Sequence, residues 1–482
     1  MDTHIHLQSS NSLINVLVPV VKDLYLLSTL VAIGLLFAIG FLLPEVRGKL
    51  GKESRRLATL AVLATVVALM CTIGGIIVEL ANLLGGGFLE AFNWSVISTF
   101  LSTTSIGRDY VFQIVMALGA IALILRAKKV GAIYFALAAT MLALLIPLFQ
   151  SHASSAGNHG LAIGSLIFHV AAVSLWVGGV IGLLAISERS RASSINRFSS
   201  LALWCAIIVG VSGVLNAWTR LNFLSGWHSR YGLFVIIKIV LFLILLLIGA
   251  RHRGYIAKNL QGGRQVFQLL LNESGVMILA VAIGGWLSST LPPISPAGLI
   301  LARDPVIAIT GIPMPNAPTF FRVLSRYSPD GTILGFLLLI TALYISGVLV
   351  LSRRGDKWPV GRTISFAIGV ALVDFATSGG IGVYAHFAFS YHMIAHMILG
   401  MIAPIGFVLS APITLALRTL PQGRTPEERG LRGTLIAIIH SKYSVIITNP
   451  VMALALFDGS LFALYMTPLF GKLMQSKLES LP

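Results

Sequence analysis

Long apolar runs recur along the whole chain, and they limit its possible folds more than any other feature. A helical run of about 18 or more apolar residues crosses the roughly 30 Å hydrocarbon core of a bilayer while satisfying its own backbone hydrogen bonds. The sequence predicts about twelve such spans, which lie at Leu24–Leu43, Leu57–Leu83, Val111–Leu125, Val130–Phe149, Leu161–Leu184, Leu201–Trp218, Tyr231–Ala250, Gly275–Leu291, Thr332–Leu351, Thr363–Ala385, Tyr391–Leu417 and Val445–Leu464. We therefore expect an all-α, polytopic membrane protein.

The composition excludes an ordinary soluble domain, because 56% of the residues are hydrophobic, 11% are charged and the mean hydropathy is +0.90. Most of the 34 Lys and Arg residues fall in alternate loops between the predicted spans. The positive-inside rule assigns those loops to the cytoplasm and places both termini outside. The net charge of +17 then reflects membrane topology and contact with the lipid bilayer, and it predicts no nucleic-acid partner.

Two histidines enter one of the apolar runs, the stretch FSYHMIAHMILGMIAPIGFVLSAP at residues 389–412. His392 and His396 are spaced i, i+4, so a helix presents both on one face, and Met393 and Met397 each follow one residue later. Imidazole and thioether groups suit a copper ion better than a hard cation, which prefers oxygen ligands. The alternative is structural: intramembrane histidines also form hydrogen bonds to neighbouring helices.

Further histidines fall toward the same predicted outer face: His152, His159, His169 and His386. His152 and His159 lie in a short polar loop, and His169 lies eight residues into the following span, about 12 Å down at 1.5 Å per residue. A ligand set for a metal that arrives from outside would have this distribution. A chance scatter of histidines would also have it, so the pattern alone leaves both interpretations open.

A few charged side chains lie inside the predicted spans, where charges are costly and generally have a function or a partner. Lys238 lies about two turns into its span, and the carboxylates available to pair with it are Glu79, Asp374 and Asp458. The sequence does not choose among them. Cys71 and Cys205 lie alone in separate spans, so neither a disulfide nor a thiolate metal cluster is predicted.

The segment from His152 to Pro293 resembles the copper-resistance D (CopD-like) membrane domain. The resemblance rests on H-x6-W-x-G-G from His169 to Gly179, and then on RFSSLALW, GVLNAWTRL, YGLFVIIK, GARHR and TLPP in that order. The Gly178–Gly179 pair also predicts close approach of another helix. The resemblance implies copper handling at a bacterial plasma membrane, with His152, His159 and His169 as candidate copper contacts.

A Pro-rich segment, residues 294–331, is predicted to be an outer linker. After it, YHMIAHMILGMIAPIGFVLSAPITLALRTLP and NPVMALALFDGSLFALYMTPLF resemble the CtaG-type cytochrome c oxidase assembly factor. That family is implicated in delivering copper to haem-copper oxidase, and His392, His396 and Pro404 match its most recognisable helix. The family normally continues into further helices with another histidine cluster, so we expect a shortened copy here.

The predicted organisation is therefore a four-span region at 1–150, a CopD-like domain at 151–293, the linker at 294–331 and a CtaG-like domain at 332–482. We expect copper handling at the outer face, either as uptake or as delivery to cytochrome c oxidase, with oxidase subunits or a periplasmic or extracellular copper chaperone as partners. No Gly-Lys-Ser/Thr nucleotide loop is present, and no enzymatic activity is expected. The alternatives are a cytochrome b-like redox protein with haem on His169 and His396, and an ion-coupled transporter that uses Lys238 and Asp374.

Overall fold

The structure is a computed structural model, and it describes residues 2–45, 48–85, 88–150, 159–221, 224–257, 263–290, 293, 305–423 and 430–466. Within these ranges the chain is helical and forms no β-strand. The all-α prediction is confirmed. The chain divides into two compact units, which we call unit 1 (residues 1–156 and 161–295) and unit 2 (residues 157–160 and 296–482).

Unit 1 is built from ten helices within the described ranges, and several of them are longer than a bilayer is thick. In chain order they are α1 (Asp2–Phe37), α2 (Lys52–Leu83), α3 (Phe88–Ala91), α4 (Trp94–Thr103), α5 (Ser105–Leu125), α6 (Val130–Leu145), α7 (His159–Ala185), α8 (Glu188–Arg220), α9 (Arg230–Ala257) and α10 (Gly263–Ser289). A π-helical turn, Ala38–Leu42, extends α1. One hydrophobic core draws residues from α1, α2 and α5 to α10, so the first helices and the later ones form a single packed body.

Unit 2 has shorter and more broken helices. In the described part of the chain they are α11 (Pro305–Thr310), α12 (Phe320–Ser325), α13 (Gly331–Arg353), α14 (Val360–Thr377), α15 (Gly380–Ala385), α16 (Phe389–Met397), α17 (Ala403–Leu409), α18 (Pro412–Thr419), α19 (Gly430–Ile439), α20 (Lys442–Ile447) and α21 (Pro450–Tyr465). Two small cores lie within it, one around Tyr344 and Phe366 and one around Ala376 and Ile398.

Eleven helical stretches in the described residues are long and apolar enough to cross a membrane, against the roughly twelve expected from the sequence. The difference lies at the predicted span Val445–Leu464. There the chain forms two helices, α20 and α21, because Asn449 and Pro450 end one helix and start the next: the Asn449 side chain accepts hydrogen bonds from the backbone of Val451 and Met452.

The first span begins earlier than expected. The sequence places its start at Leu24, where uninterrupted apolar residues begin, whereas the apolar helical stretch in the structure is Val16–Leu42. Lys22 and Asp23 therefore lie inside this stretch instead of just before it. A 36-residue helix carries the chain through both charges, and Pro19 is accommodated within the same helix.

A close glycine contact joins α1 to α7. A Cβ atom added at Gly34 would overlap the backbone carbonyl of Gly178, and one added at Gly182 would lie 2.7 Å from the carbonyl oxygen of Gly34. Gly178 and Gly182 are one turn apart, so they form a small-residue strip that lets the two backbones touch. The expectation that another helix approaches the Gly178–Gly179 pair is confirmed; on the other side of α7, Phe198 of α8 packs against Gly179.

The helix that carries His392 and His396 is continuous but irregular. A π-helical turn, Ile398–Ile402, separates α16 from α17, and Pro404 occupies the first turn of α17. Proline has no backbone N–H and clashes with the preceding turn, and the wider π turn accommodates this interruption. Further along, Ala411 adopts a left-handed backbone conformation with φ of 50°, which sets the corner between α17 and α18.

We expect that Gly34→Ala will lower the melting temperature of the purified protein, because the new methyl group must push α1 away from the Gly178 backbone. Overpacking of this kind costs about 1–3 kcal/mol. Differential scanning fluorimetry in detergent measures the change. Gly74→Ala is the matched control, since Gly74 lies in the neighbouring span with no atom within 4 Å of the added Cβ. Equal melting temperatures for the two variants would contradict the close contact.

Candidate metal centre

His392 and His396 lie side by side on α16 of unit 2. Their Nε2 atoms are 3.0 Å apart, and their ring planes meet at 81° with centroids 4.6 Å apart. Both side chains are exposed on the surface of the folded chain, although they belong to an apolar helical stretch that can span a membrane. Polar groups at such positions are costly against lipid, so these rings need a ligand or a partner.

The geometry of this pair fits two ligands of one metal ion. Imidazole nitrogens bound about 2.0–2.1 Å from a metal are about 3.0 Å apart when the angle between them is close to 95°. Near-right angles between nitrogen ligands are typical of tetragonal copper sites. The same 3.0 Å separation is also that of a hydrogen bond if one Nε2 carries a proton, and in that case the metal would take the place of the shared proton.

A third histidine, His386, lies close to this pair and was missed as a ligand in the sequence analysis. It is within electrostatic reach of His392. Its Nδ1 is 2.8 Å from the carbonyl oxygen of Gly382, and because a carbonyl only accepts, Nδ1 must carry the proton. Nε2 of His386 is then unprotonated in the neutral ring, which is the state that binds a metal. Its position just before α16, six residues ahead of His392, was the available signal.

The methionines next to the histidines lie on the same surface. Met393 is 39% exposed and Met397 is 50% exposed. Each follows its histidine by one residue and so lies about 100° further round the helix. In the described part of the chain, no three His, Cys, Asp or Glu side chains are already close enough together to hold a metal. The described arrangement is therefore a two-imidazole pair with His386 and the methionines nearby.

The other histidines predicted from the sequence lie elsewhere. His169, in unit 1, has its Nδ1 3.0 Å from the hydroxyl oxygen of Ser212, which itself donates to the carbonyl of Ile208. Nδ1 is therefore the donor in this contact, and the ring also has a hydrogen bond to the backbone of Val209. His159 begins α7, but its side chain lies outside what the structure describes, and His152 lies wholly outside the described residues. The proposed site with three imidazoles from both units stays a prediction.

Lys238 and Glu79, a pair that the sequence allows, have different charged neighbours in unit 1. Lys238 lies within electrostatic reach of His169 and of Arg220, which donates a hydrogen bond to the Tyr231 hydroxyl. Glu79 interacts instead with Lys22 of α1.

The two remaining carboxylates belong to unit 2. Asp374 accepts a hydrogen bond of 3.1 Å from the Tyr327 hydroxyl. Tyr327 lies outside the spans, and its pKa is raised by burial and then by the Asp374 carboxylate. Asp458 is exposed on α21. No ion pair between Lys238 and any of the three expected carboxylates is present in the part of the chain that the structure describes.

Family models match the chain in three consecutive parts. Copper resistance protein D-like, N-terminal domain, matches residues 13–161; copper resistance protein D matches residues 192–287; and cytochrome c oxidase caa3 assembly factor (Caa3_CtaG) matches residues 342–481. The fusion of a CopD-like part with a CtaG-like part is confirmed. The copper-resistance likeness also covers the first four spans, where the sequence analysis found no motif.

Several bacterial proteins are similar to parts of this chain. The uncharacterized proteins Mb0105 of Mycobacterium bovis and MT0111 of Mycobacterium tuberculosis are each 39% identical over 163 residues, which is 33% of this chain and 24% of each relative. Copper transport protein CutJ of Bacillus subtilis is 28% identical over 219 residues, which is 42% of this chain and 40% of CutJ. The matches thus span about a quarter of the mycobacterial relatives. No solved structure matches this chain.

These observations define the class of protein to which the chain belongs. The chain is a multi-pass protein of the bacterial plasma membrane, and it combines a copper-resistance D-like part with an oxidase-assembly-like part. The families and the relative that it resembles are named for copper resistance, copper transport and oxidase assembly.

Proposed function

We propose that this protein binds copper at its predicted outer face through His392 and His396 and delivers it for assembly of the copper centres of a cytochrome c oxidase. The observation that supports this most directly is the 3.0 Å separation of the two Nε2 atoms on an exposed helix face. Both residues lie inside the part of the chain that is similar to the caa3 oxidase assembly factor. Copper is the cargo here, and the proposal includes no catalytic step.

His386 and the methionines complete the proposed site. Two imidazoles leave coordination positions open, and His386, whose Nδ1 proton is held by Gly382, has its Nε2 available to fill one. A thioether from Met393 or Met397 adds a soft ligand, which favours copper over magnesium or calcium. The exposure of all these groups allows a partner, an oxidase subunit or a copper chaperone, to contribute or remove ligands directly.

Copper uptake through unit 1 is the second candidate, supported by the similarity of this chain to CutJ, whose name describes copper transport. His169 lies in that unit, with its Nδ1 hydrogen-bonded to Ser212. The haem alternative, with His169 of unit 1 and His396 of unit 2 as ligands, stays a prediction.

We expect His392→Ala and His396→Ala each to weaken copper binding by at least about 10- to 100-fold, the loss that removal of a mere hydrogen-bond partner of a ligand typically causes. Competition titration against a copper chelator, on purified protein in detergent, measures the affinity. His386→Gln is expected to weaken binding to a smaller degree. His440→Gln is its matched control, because His440 also has its Nδ1 on the carbonyl four residues earlier, at 2.9 Å, but lies on a separate helix end.

The His440→Gln control should bind copper with the affinity of the wild-type protein. If the double variant His392→Ala, His396→Ala binds copper with unchanged affinity, the pair is a structural hydrogen bond and the proposal is wrong.

Copper delivery and copper uptake predict different results in cells. We expect a strain that carries only the double variant to lose copper from its cytochrome c oxidase, seen as reduced oxidase activity and metal content, while its total cell copper stays normal. Uptake predicts the reverse order: total copper falls first, and added copper restores oxidase activity. Elemental analysis of whole cells and of the purified oxidase separates the two, and an unchanged oxidase would exclude delivery.

A further inference from the structure

Lys238 lies inside the membrane-spanning part of α9, and none of the three carboxylates expected from the sequence pairs with it in the described residues. Its ammonium group lies against α10: a Cβ atom built at Gly284 would be 3.3 Å from Lys238 Nζ. A side chain at residue 284 would crowd the ammonium group. A charge in this position requires a counter-charge or water.

A carboxylate approaches the next residue of the same helix from another side. Asp23 of α1 is 9% exposed, and its Oδ1 is buried without a hydrogen-bond partner among the described residues. The Asp23 carboxylate lies directly on the backbone of Gly285, where any Cβ atom would overlap it. Gly284 and Gly285 thus form a gap in the surface of α10, with an ammonium group at one residue and a carboxylate at the next.

We propose that Asp23 is the intramembrane counter-charge of Lys238, and that the two groups meet across the Gly284–Gly285 gap. α1 and α9 both pack against α10, so the gap is bounded by the helices that carry the charges. A lysine has four rotatable carbons, and a rotamer change is enough to move its ammonium group along the glycine surface. Lys22 is within electrostatic reach of both Glu79 and Asp23, and Glu79 has the larger effect on it, so we assign Glu79 to Lys22 and Asp23 to Lys238.

The pair also bears on copper at His169, a consequence that rests on the second candidate function, copper uptake through unit 1. Lys238 is within electrostatic reach of His169, and Arg220 is a second cation near Lys238. An ammonium group beside His169 repels an arriving copper ion, whereas an ammonium group held by Asp23 repels it less. We therefore expect the Lys238 ammonium group to oppose copper binding at His169, and Asp23 to weaken that opposition.

The first test is a thermal-unfolding comparison of the full-length protein in detergent. Asp23→Asn and Lys238→Met should each lower the melting temperature by a few degrees, since each leaves one buried charge alone. The double variant should recover at least half of the loss, because neither charge remains. Glu79→Gln combined with Lys238→Met is the matched control and should recover nothing.

Additive losses in the Asp23→Asn, Lys238→Met double variant would overturn the pair. If the single variants give no folded protein, the charge-reversed double variant Asp23→Lys, Lys238→Asp decides through its yield of monodisperse protein on size-exclusion chromatography. A yield above that of both single variants supports the pair, and a yield no better than theirs overturns it.

The second test measures copper affinity in the His392→Ala, His396→Ala background, where copper sites outside that pair are observed. Lys238→Met should raise the affinity several-fold, and Asp23→Asn should lower it. Effects of the same sign, or no copper binding in that background, would overturn the competition at His169. The thermal comparison does not depend on copper, so failure of the charge pair is distinguishable from failure of the copper proposal.

Discussion

The contact between Gly34 and the Gly178–Gly182 strip is the interaction on which unit 1 depends. Lipid offers no hydrophobic drive for helices to associate, so helices in a bilayer are held by close packing and by hydrogen bonds. Here a backbone lies directly on a backbone, which brings α1 of the N-terminal spans against α7 of the CopD-like spans. The remaining helices pack around that crossing, and one shared core results.

Polar side chains in the spans also satisfy their hydrogen-bonding groups within the protein, because lipid offers no partners. Thr65, Thr72 and Thr140 each donate to a carbonyl four residues earlier, while Tyr25 and Tyr134 donate to carbonyls of other helices. These bonds satisfy the hydroxyl protons without water. Against this background two features become informative: the exposed imidazoles of His392 and His396, which contact each other, and the carboxylate of Asp23, one of the few buried side chains with an unpartnered oxygen in the described residues.

The sequence predicted the parts of this structure that depend on local pattern. Apolar run length gave the helices and most of the spans, and the i, i+4 spacing placed His392 and His396 on one face. Contacts distant in the sequence could not be predicted in the same way. Nothing local to Lys238 indicates Gly284, and Asp23 was placed outside its span because the apolar run was counted from Leu24. His386 was placed at the outer face but not named as a ligand, because no helical spacing links it to His392 and His396.

The placement of both imidazoles on a single helical turn has a kinetic consequence. When ligands come from two separate elements, release of a metal requires those elements to part, and the rate follows the conformational change. His392 and His396 are fixed to one rigid stretch of α16 and are open to the surroundings. A copper ion held there would leave by stepwise substitution, as an acceptor's donor atoms replace the imidazoles one at a time. The transfer rate should then depend on the acceptor's concentration and ligand type, with no limiting opening step within this protein.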